Sequence, residues 1–414
     1  MSNALITPTI IAKEAIMQLD NSLVYGNNVH RGYENEFGAS VNGNKVGSSV
    51  TIRRPVQFTV RQGATANIQD VTEGTTTMTV DKQRGVDFKF TSSDMTLSVS
   101  EFSERYIKPA MIQIANEVDK DIAALYKDVY NWAGTPGQTI NSYVDFAKGP
   151  ERLDLGAVEQ SGRMAILSPT DHWGLAGSFS GLYIDKTAKT ALEQAKLGMV
   201  GGCELFMSQN VQTHTVGAHG GTPLTRGASQ GVAYSTVKTT MTQTLATDGW
   251  TTNSGLKAGD VFTINDVYDV NPVTKATLPH LKQFSIQADL TTNTTSSNQT
   301  TLTIYPALIT TGPYQNVSAD NGNDKTITMM GTASTNYAQN LLFHKSAIAL
   351  AMVPLQQAES GSGVAQSTIR HKGLSLQYSA QYSIVEAKMI YRFDALWGVD
   401  VVDRRQGLRL SGTA

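Results

Sequence analysis

Across residues 50–61 apolar and polar positions alternate: Val50, Ile52, Val56, Phe58 and Val60 share one parity, with Thr51, Arg53, Gln57, Thr59 and Arg61 on the other. The same period returns at Met78, Val80, Val86, Phe88 and Phe90, opposite Thr79, Asp81, Gln83, Asp87 and Lys89. A period of two predicts half-exposed antiparallel strands. Here they form the arms of a long hairpin joined by the Gly/Thr-rich residues 62–76. An isolated two-stranded hairpin is marginal in water, so this one is expected to lean on something else.

Over residues 101–130 the period changes. Ile107, Met111, Ile114, Val118, Ile122, Leu125 and Val129 recur every three or four residues and form one helical stripe. Pro109 is tolerated in the first turn, and Gly134 and Pro136 lie past the end. Glu117, Asp119, Lys120 and Asp121 lie off the stripe. A shorter amphipathic stretch, residues 8–23, leads into a Gly/Asn-rich segment that ends at Gly47. This reads as an N-terminal arm that does not fold alone.

Residues 160–212 look α/β. A buried strand is predicted at 164–167, a helix start at Ser168-Pro169-Thr170-Asp171, a second helix from a cap at Asp185 to Lys196, stopped by Gly198, and a strand at 204–207. From 225 to 340 Thr, Asn, Gly and Ser dominate and the helical period vanishes. Short strands are predicted at 232–245, 261–270, 283–290, 301–304 and 325–330, the pattern of an antiparallel barrel or sandwich. Buried-strand character resumes on both flanks, at 203–208 and 346–355, which marks the barrel as an insertion. Near the end Leu374, Leu376, Tyr378, Tyr382 and Ile384 alternate, then Met389, Tyr391, Phe393, Ala395 and Trp397 in the opposite register. Ser360-Gly361-Ser362-Gly363 reads as a flexible loop.

Composition narrows the function. At roughly 150 residues per domain, 414 residues predict two to three folding units. Only 16 % of residues are charged, against a usual ~25 %. The net charge is −2, and no basic run gives the footprint of a protein that reads nucleic acid. That leaves room for one that encloses DNA without gripping it. The single cysteine, Cys203, excludes an intrachain disulfide or a multi-cysteine metal site and fits a reducing compartment. It reads as a small buried hydrophobe. Residues 1–11 lack the charged flank and apolar core of a signal peptide. No apolar run nears the ~20 residues that span a bilayer, and the longest, 347–355, reads as a buried strand.

Catalytic patterns are missing from the sequence. There is no G-x-x-x-x-G-K-[ST] and no G-x-G-x-x-G after a strand. Gly177-Ser178-Phe179-Ser180-Gly181 has Phe where a nucleophile elbow needs its nucleophile. His214 and His219 share a Gly-rich loop and read as solvated histidines rather than a metal pair. Asp320, Asn321, Asn323 and Asp324 resemble a calcium loop in composition, but the required Gly and closing Glu are missing, so a turn is expected. The sequons at Asn293, Asn298 and Asn316 matter only in a secreted protein. No catalytic residue, cofactor or metal ligand is assigned. One oddity is left: Arg54, Lys82 and Arg84 share the apolar parity of the hairpin. Either the strands twist into solvent there, or this face lies on a neighbouring subunit and pairs with carboxylates. With Arg53, Arg61, Asp70 and Glu73 they form the candidate intersubunit contacts. Exposed pairs contribute only ~0–1 kcal/mol each, so they would act in number.

The order of parts is arm, hairpin, long helix, α/β region, inserted barrel and returning strands. It resembles the major capsid (coat) proteins of tailed bacteriophages, specifically the podophage branch with an inserted β-barrel domain. Phe102-Ser103-Glu104-Arg105-Tyr106-Ile107-Lys108-Pro109-Ala110, Ala258-Gly259-Asp260-Val261-Phe262-Thr263-Ile264 and Tyr391-Arg392-Phe393-Asp394-Ala395-Leu396-Trp397-Gly398 carry the likeness. The resemblance implies an α+β capsid fold. Its parts would be an N-terminal arm (1–34), an extended β-hairpin loop (35–92) overlapping an adjacent subunit, and a peripheral domain with a spine helix (93–150 and 370–414). An axial domain (151–225 and 341–369) and an inserted β-barrel (226–340) complete it. It further implies no enzyme activity and self-assembly into hexamers and pentamers of an icosahedral head. That head would enclose double-stranded DNA without sequence-specific binding. Scaffolding and portal proteins would be partners, no membrane would be involved, and assembly into virions would take place in the host bacterial cytoplasm. A cellular nanocompartment shell shares the fold but usually lacks the barrel. A β-rich adhesive or carbohydrate-binding protein would leave the spine helix unexplained.

Overall fold

A computed structural model describes residues 8–33, 40–41, 44–45, 49–61, 63–66, 68–91, 103–179, 198–292, 299–358 and 363–413. The chain forms two compact units: Met1–Thr51, Thr77–Ile122 and Ile348–Asp400 make the first, and Ile52–Thr76, Ala123–Ala347 and Val401–Ala414 the second.

The first unit is organised by the long strand Lys388–Val401, which pairs with Ile348–Val353, Leu374–Ser383 and Lys82–Thr91, while Ala365–His371 flanks Leu374–Ser383. The opposed registers read from the sequence bury Leu374, Leu376 and Tyr378 on one strand and Tyr391, Phe393, Ala395 and Trp397 on the next. Ile384 falls outside this pattern and is exposed at the turn. Phe88 stacks on Tyr391 with ring centroids 5.4 Å apart, a cross-strand aromatic pair of the kind that holds sheets together. The helix Lys108–Ala123 buries Met111, Ile114, Val118 and Ile122, as its stripe requires. The arm helix Pro8–Ser22 buries Ala12, Ala15, Ile16 and Leu19 against strands Ala365–His371 and Leu374–Ser383.

Asp119 corrects the reading of that helix's polar side. It is buried, and its carboxylate accepts the backbone N–H groups of Val24 (2.7 Å) and Gly26 (2.9 Å). Those donors belong to the start of the short helix Tyr25–Asn28. A buried carboxylate is tolerable when hydrogen-bonded in this way, and helical spacing cannot foresee a partner that arrives from the arm. Burial still pushes its carboxyl up to about 6, against the pull of those N–H groups.

In the second unit one six-stranded sheet has the order Trp132–Ala133, Gly407–Leu410, Asn340–His344, Arg163–Leu167, Cys203–Met207, Met199–Val200. Helices Tyr143–Leu155 and Pro169–Ser178 begin on Ser142 and Ser168, whose side chains accept the N–H groups of Asp145 and Asp171. Phe146, Leu153, Leu175, Leu342, Leu408 and Cys203 share the core, and burial pushes the Cys203 thiol up to about 11. The insertion leaves and rejoins this part through antiparallel strands Thr213–Thr215 and Asn336–Ala338. Its own sheet runs Gly221–Thr225, Gln243–Trp250, Thr300–Tyr305, Thr277–Ile286, Val261–Val270, Ile327–Met329. A bridge between Leu224 and Thr326 brings the first and last strands together, which nearly closes the barrel and shields its edges. Leu245, Phe262, Ile264, Phe284, Leu302 and Ile304 fill it.

Several expectations need correction. The first hairpin arm is strand only over Ser49–Arg53, because Pro55 removes a ladder donor. It pairs with Thr75–Thr79. The second arm belongs mainly to the sheet, pairing from Lys82↔Trp397 to Thr91↔Lys388. Residues 232–245 are not one strand: a helical turn, Tyr234–Val237, precedes strand Gln243–Trp250. The strand expected at 283–290 starts earlier, as Thr277–Ile286. Strand Ile348–Val353 belongs to the first unit and strand Gly407–Leu410 to the second. The helix read at 185–196, Asn293, Asn298 and Ser360 to Ser362 lie outside the described residues.

Candidate assembly interface

The candidate residues fall in two places. In the first unit Lys82 and Arg84 stand on strand Lys82–Thr91, over the polar side of helix Lys108–Ala123. Arg84 pairs with Glu117 and donates to Asp121 at 3.1 Å, and the Lys82 ammonium lies 3.7 Å from Asp121. Asp121 also accepts the indole N–H of the fully buried Trp397 at 3.1 Å. The Arg84 guanidinium lies 5.8 Å from the Trp397 ring centre, within cation–π range. This explains two of the three cations on the apolar parity, Lys82 and Arg84: their face meets a helix of the same chain that carries Glu117 and Asp121. The cluster ties strand to helix, and its carboxylates come from residues that the sequence placed off the stripe.

In the second unit the other candidates line the loop between strands Ser49–Arg53 and Thr75–Thr79. Arg53 pairs with Glu73 at 3.2 Å, both side chains well exposed. Arg54 donates its backbone N–H to Gly74 O (2.8 Å) and its guanidinium to Thr76 Oγ1. Arg61 donates to the carbonyls of Gly63 and Thr65. Asp70 is exposed and has no bonded partner among the described residues. Thr59 and Gln69 hold the two legs together, with Thr59 N donating to Gln69 Oε1 (2.9 Å) and Gln69 Nε2 to Thr59 O (2.6 Å).

The chemistry of this loop is apolar as much as charged. Val60 is 96 % exposed and Ile68 91 %, and Phe58 and Val71 are exposed as well. Scattered apolar residues on a surface need no explanation, whereas here four stand exposed on one loop. Val71 and Ile68 lie in the Gly/Thr-rich joint, where no period singled them out.

His214 also departs from its expected role. It is buried, with Nδ1 3.0 Å from the Tyr126 hydroxyl and Nε2 2.8 Å from Asp260 Oδ1. Asp260 accepts the N–H groups of Gly217 and Lys257 as well. This is a satisfied polar brace at the root of the insertion rather than a solvated loop. The Asp320 turn is built as expected, with Asp320 and Asn321 accepting N–H groups of Gly231 and Gln230. Among the described residues no group of His, Cys, Asp and Glu forms a metal site, and no helix is long and apolar enough to cross a membrane.

Known proteins assign the class, that of phage coat proteins. The model of the family described as "P22 coat protein - gene protein 5" matches residues 2–412, so the chain belongs to the P22 coat protein family and is a structural protein of the phage capsid. It is 24 % identical over 368 residues to the major capsid protein of Acyrthosiphon pisum secondary endosymbiont phage 1, covering 84 % of this chain and 85 % of that one. The solved structure from Mycobacterium phage Che8 aligns over 94 % of this chain and 90 % of its own, at 14 % identity and TM-score 0.46. The capsid of cyanophage P-SCSP1u covers 99 % and 100 %, at 10 % identity and TM-score 0.44. The CUS-3 coat protein I-domain covers 27 % of this chain and 96 % of itself, at 24 % identity and TM-score 0.21.

Proposed function

We propose that this coat protein self-assembles into hexamers and pentamers that close into an icosahedral head around double-stranded DNA, each copy laying the loop of residues 54–74 on an adjacent copy. The observation that carries this reading is the solvent-facing set Phe58, Val60, Ile68 and Val71, which has no reason to be exposed in a protein that works alone. Arg53, Arg54, Arg61, Asp70 and Glu73 form a polar rim around it, where pairs with a neighbour are weak singly and fix register in number. Lys82 and Arg84 contribute through the strand they anchor. Weak, repeated contacts let misplaced subunits leave again, which closure of a shell requires.

Scaffolding and portal proteins are the proposed partners during assembly in the bacterial cytoplasm. A net charge of −2 without a basic run supports enclosing DNA without sequence-specific contact. The test is the double substitution Val60→Asp with Ile68→Asp. Both positions are solvent-facing, so the subunit should unfold at the wild-type urea concentration, surface changes being worth within about ±0.5 kcal/mol. Electron microscopy should find no closed shells. Normal shells from this variant would refute the loop assignment.

A further inference from the structure

One hydroxyl holds both legs of the exposed loop. Tyr314, on the segment after strand Thr300–Tyr305 of the inserted barrel, accepts the backbone N–H of Gln57 at 3.2 Å and donates to Thr72 O at 3.1 Å. Gln57 lies on the outgoing leg and Thr72 on the returning one. The Tyr314 ring stacks on Tyr234, centroids 3.5 Å apart and planes 9° apart. Tyr234 opens the helical turn Tyr234–Val237, and the end of that turn meets the loop a second time. A Cβ added at Gly74 would lie 2.5 Å from Lys238 O and 2.6 Å from the Tyr234 hydroxyl. Only glycine lets the returning leg come so close. In the amide orientation that satisfies both neighbours, Gln57 also donates to Pro313 O (2.8 Å) and accepts from Arg405 (2.7 Å). Beyond these points the described loop residues bond only to each other, as Thr59 does to Gln69 and Arg61 to Gly63.

We propose that the stacked pair Tyr314–Tyr234 is a latch by which the inserted barrel sets the direction of the loop, and through it the curvature and size of the closed shell. The inference rests on the assembly role of the loop given above. Its physical basis is leverage. The legs are paired as strand only up to Arg53 and Thr75, and Pro55 prevents the ladder from continuing. Past that point the direction of the loop is set by whatever grips residues 57, 72 and 74. Two aromatic side chains and one turn of the insertion reach all three, with Pro313 O and Arg405 on the Gln57 side chain besides. Stacking on Tyr234 fixes the plane of the Tyr314 ring and with it the direction of the hydroxyl. Tyr314 and Tyr234 are positioning residues: they orient a contact surface that they are not part of.

Two variants approach the latch from opposite sides. Tyr314→Phe keeps the stacked ring and removes the hydroxyl, and Gly74→Ala pushes the leg off the turn while leaving the barrel intact. In full-length subunits, hydrogen exchange of residues 54–60 and 70–76 should quicken by about tenfold or more, the fold-change that lost hydrogen bonds of ordinary strength imply. Strand Val261–Val270 should keep its protection. Particles from either variant should show a broadened diameter distribution, with aberrant or unclosed shells, under electron microscopy. Unchanged exchange in the legs, or wild-type diameters in both variants, would overturn the latch, as would a defect in Gly74→Ala that Tyr314→Phe does not share. The two readings fail separately. Wild-type protein that forms no shells sinks the assembly role, whereas normal shells from the latch variants sink only the latch.

Discussion

Asp121 offers the most discriminating substitution in the first unit. Its carboxylate serves three neighbours: Arg84 at 3.1 Å, Lys82 at 3.7 Å and the indole N–H of Trp397 at 3.1 Å. These contacts differ in worth. Trp397 is fully buried, and orphaning its N–H costs about 1–3 kcal/mol. Arg84 is 40 % exposed, so solvent screens its pairs to at most ~1 kcal/mol. Asp121→Ala should therefore cost about 1–4 kcal/mol. Asp121→Asn keeps an acceptor for the indole and should cost about 1 kcal/mol, and Glu117→Gln, which touches only the exposed pairs with Arg84 and Lys120, less than ~1 kcal/mol. Urea unfolding of the full-length subunit at low and high salt reads all three. High salt should shrink the Glu117→Gln effect and leave most of the Asp121→Ala effect. Equal costs for Asp121→Ala and Glu117→Gln, or an Asp121→Ala effect that salt abolishes, would refute the assignment of Trp397 as the energetic centre. The same geometry predicts that Arg84→Glu, which sets a third carboxylate beside Glu117 and Asp121, weakens the subunit itself.

Two further expectations concern buried charge. Lys282→Met strands Asp269, whose carboxylate lies 2.8 Å from the buried Lys282 ammonium, and should cost about 3–5 kcal/mol in thermal unfolding. Burial alone would raise the Asp269 carboxyl, but the Lys282 charge and the His280 and Lys282 hydrogen bonds hold it well below the usual range. The wild-type protein therefore keeps this contribution above about pH 4 and loses it as pH falls further, a slope that Lys282→Met should remove. Asp119 has the opposite sign. Its carboxyl, raised to about 6, binds its proton more tightly folded than unfolded. Its contribution is therefore full below about pH 4 and is lost as pH rises through 6, by up to ~3 kcal/mol. Asp119→Asn should flatten unfolding midpoints across that window, and an unchanged slope would contradict it.

Much of the fold was legible because burial leaves a period. Val261–Val270 occupies the residues that its pattern predicts, and the opposed registers of Leu374–Ser383 and Lys388–Val401 match the alternation of Tyr378 and Tyr391. Periodicity reports which side of an element is covered, but it does not report by what. Lys82 and Arg84 looked anomalous because their carboxylate partners lie some thirty-odd positions away on a helix. Asp119 lies off the apolar stripe and is buried all the same, because its partner is the backbone of the arm. His214 looked solvated because glycines surround it in sequence, whereas Tyr126 and Asp260 enclose it in space. Residues 232–245 depart from the strand pattern because a Thr-rich stretch suits strand and turn alike, and the helical turn opens where Tyr234 stacks on Tyr314. Nothing local marks Tyr314, whose partners Gln57 and Thr72 stand more than two hundred positions away.

Electron cryomicroscopy of particles formed by the protein tests the account most directly. The account predicts closed icosahedral shells in which residues 54–74 of every copy lie on an adjacent copy, with Phe58, Val60, Ile68 and Val71 covered. Shells that leave these four side chains in solvent, or a protein that forms no shells with its scaffolding partner present, would contradict it.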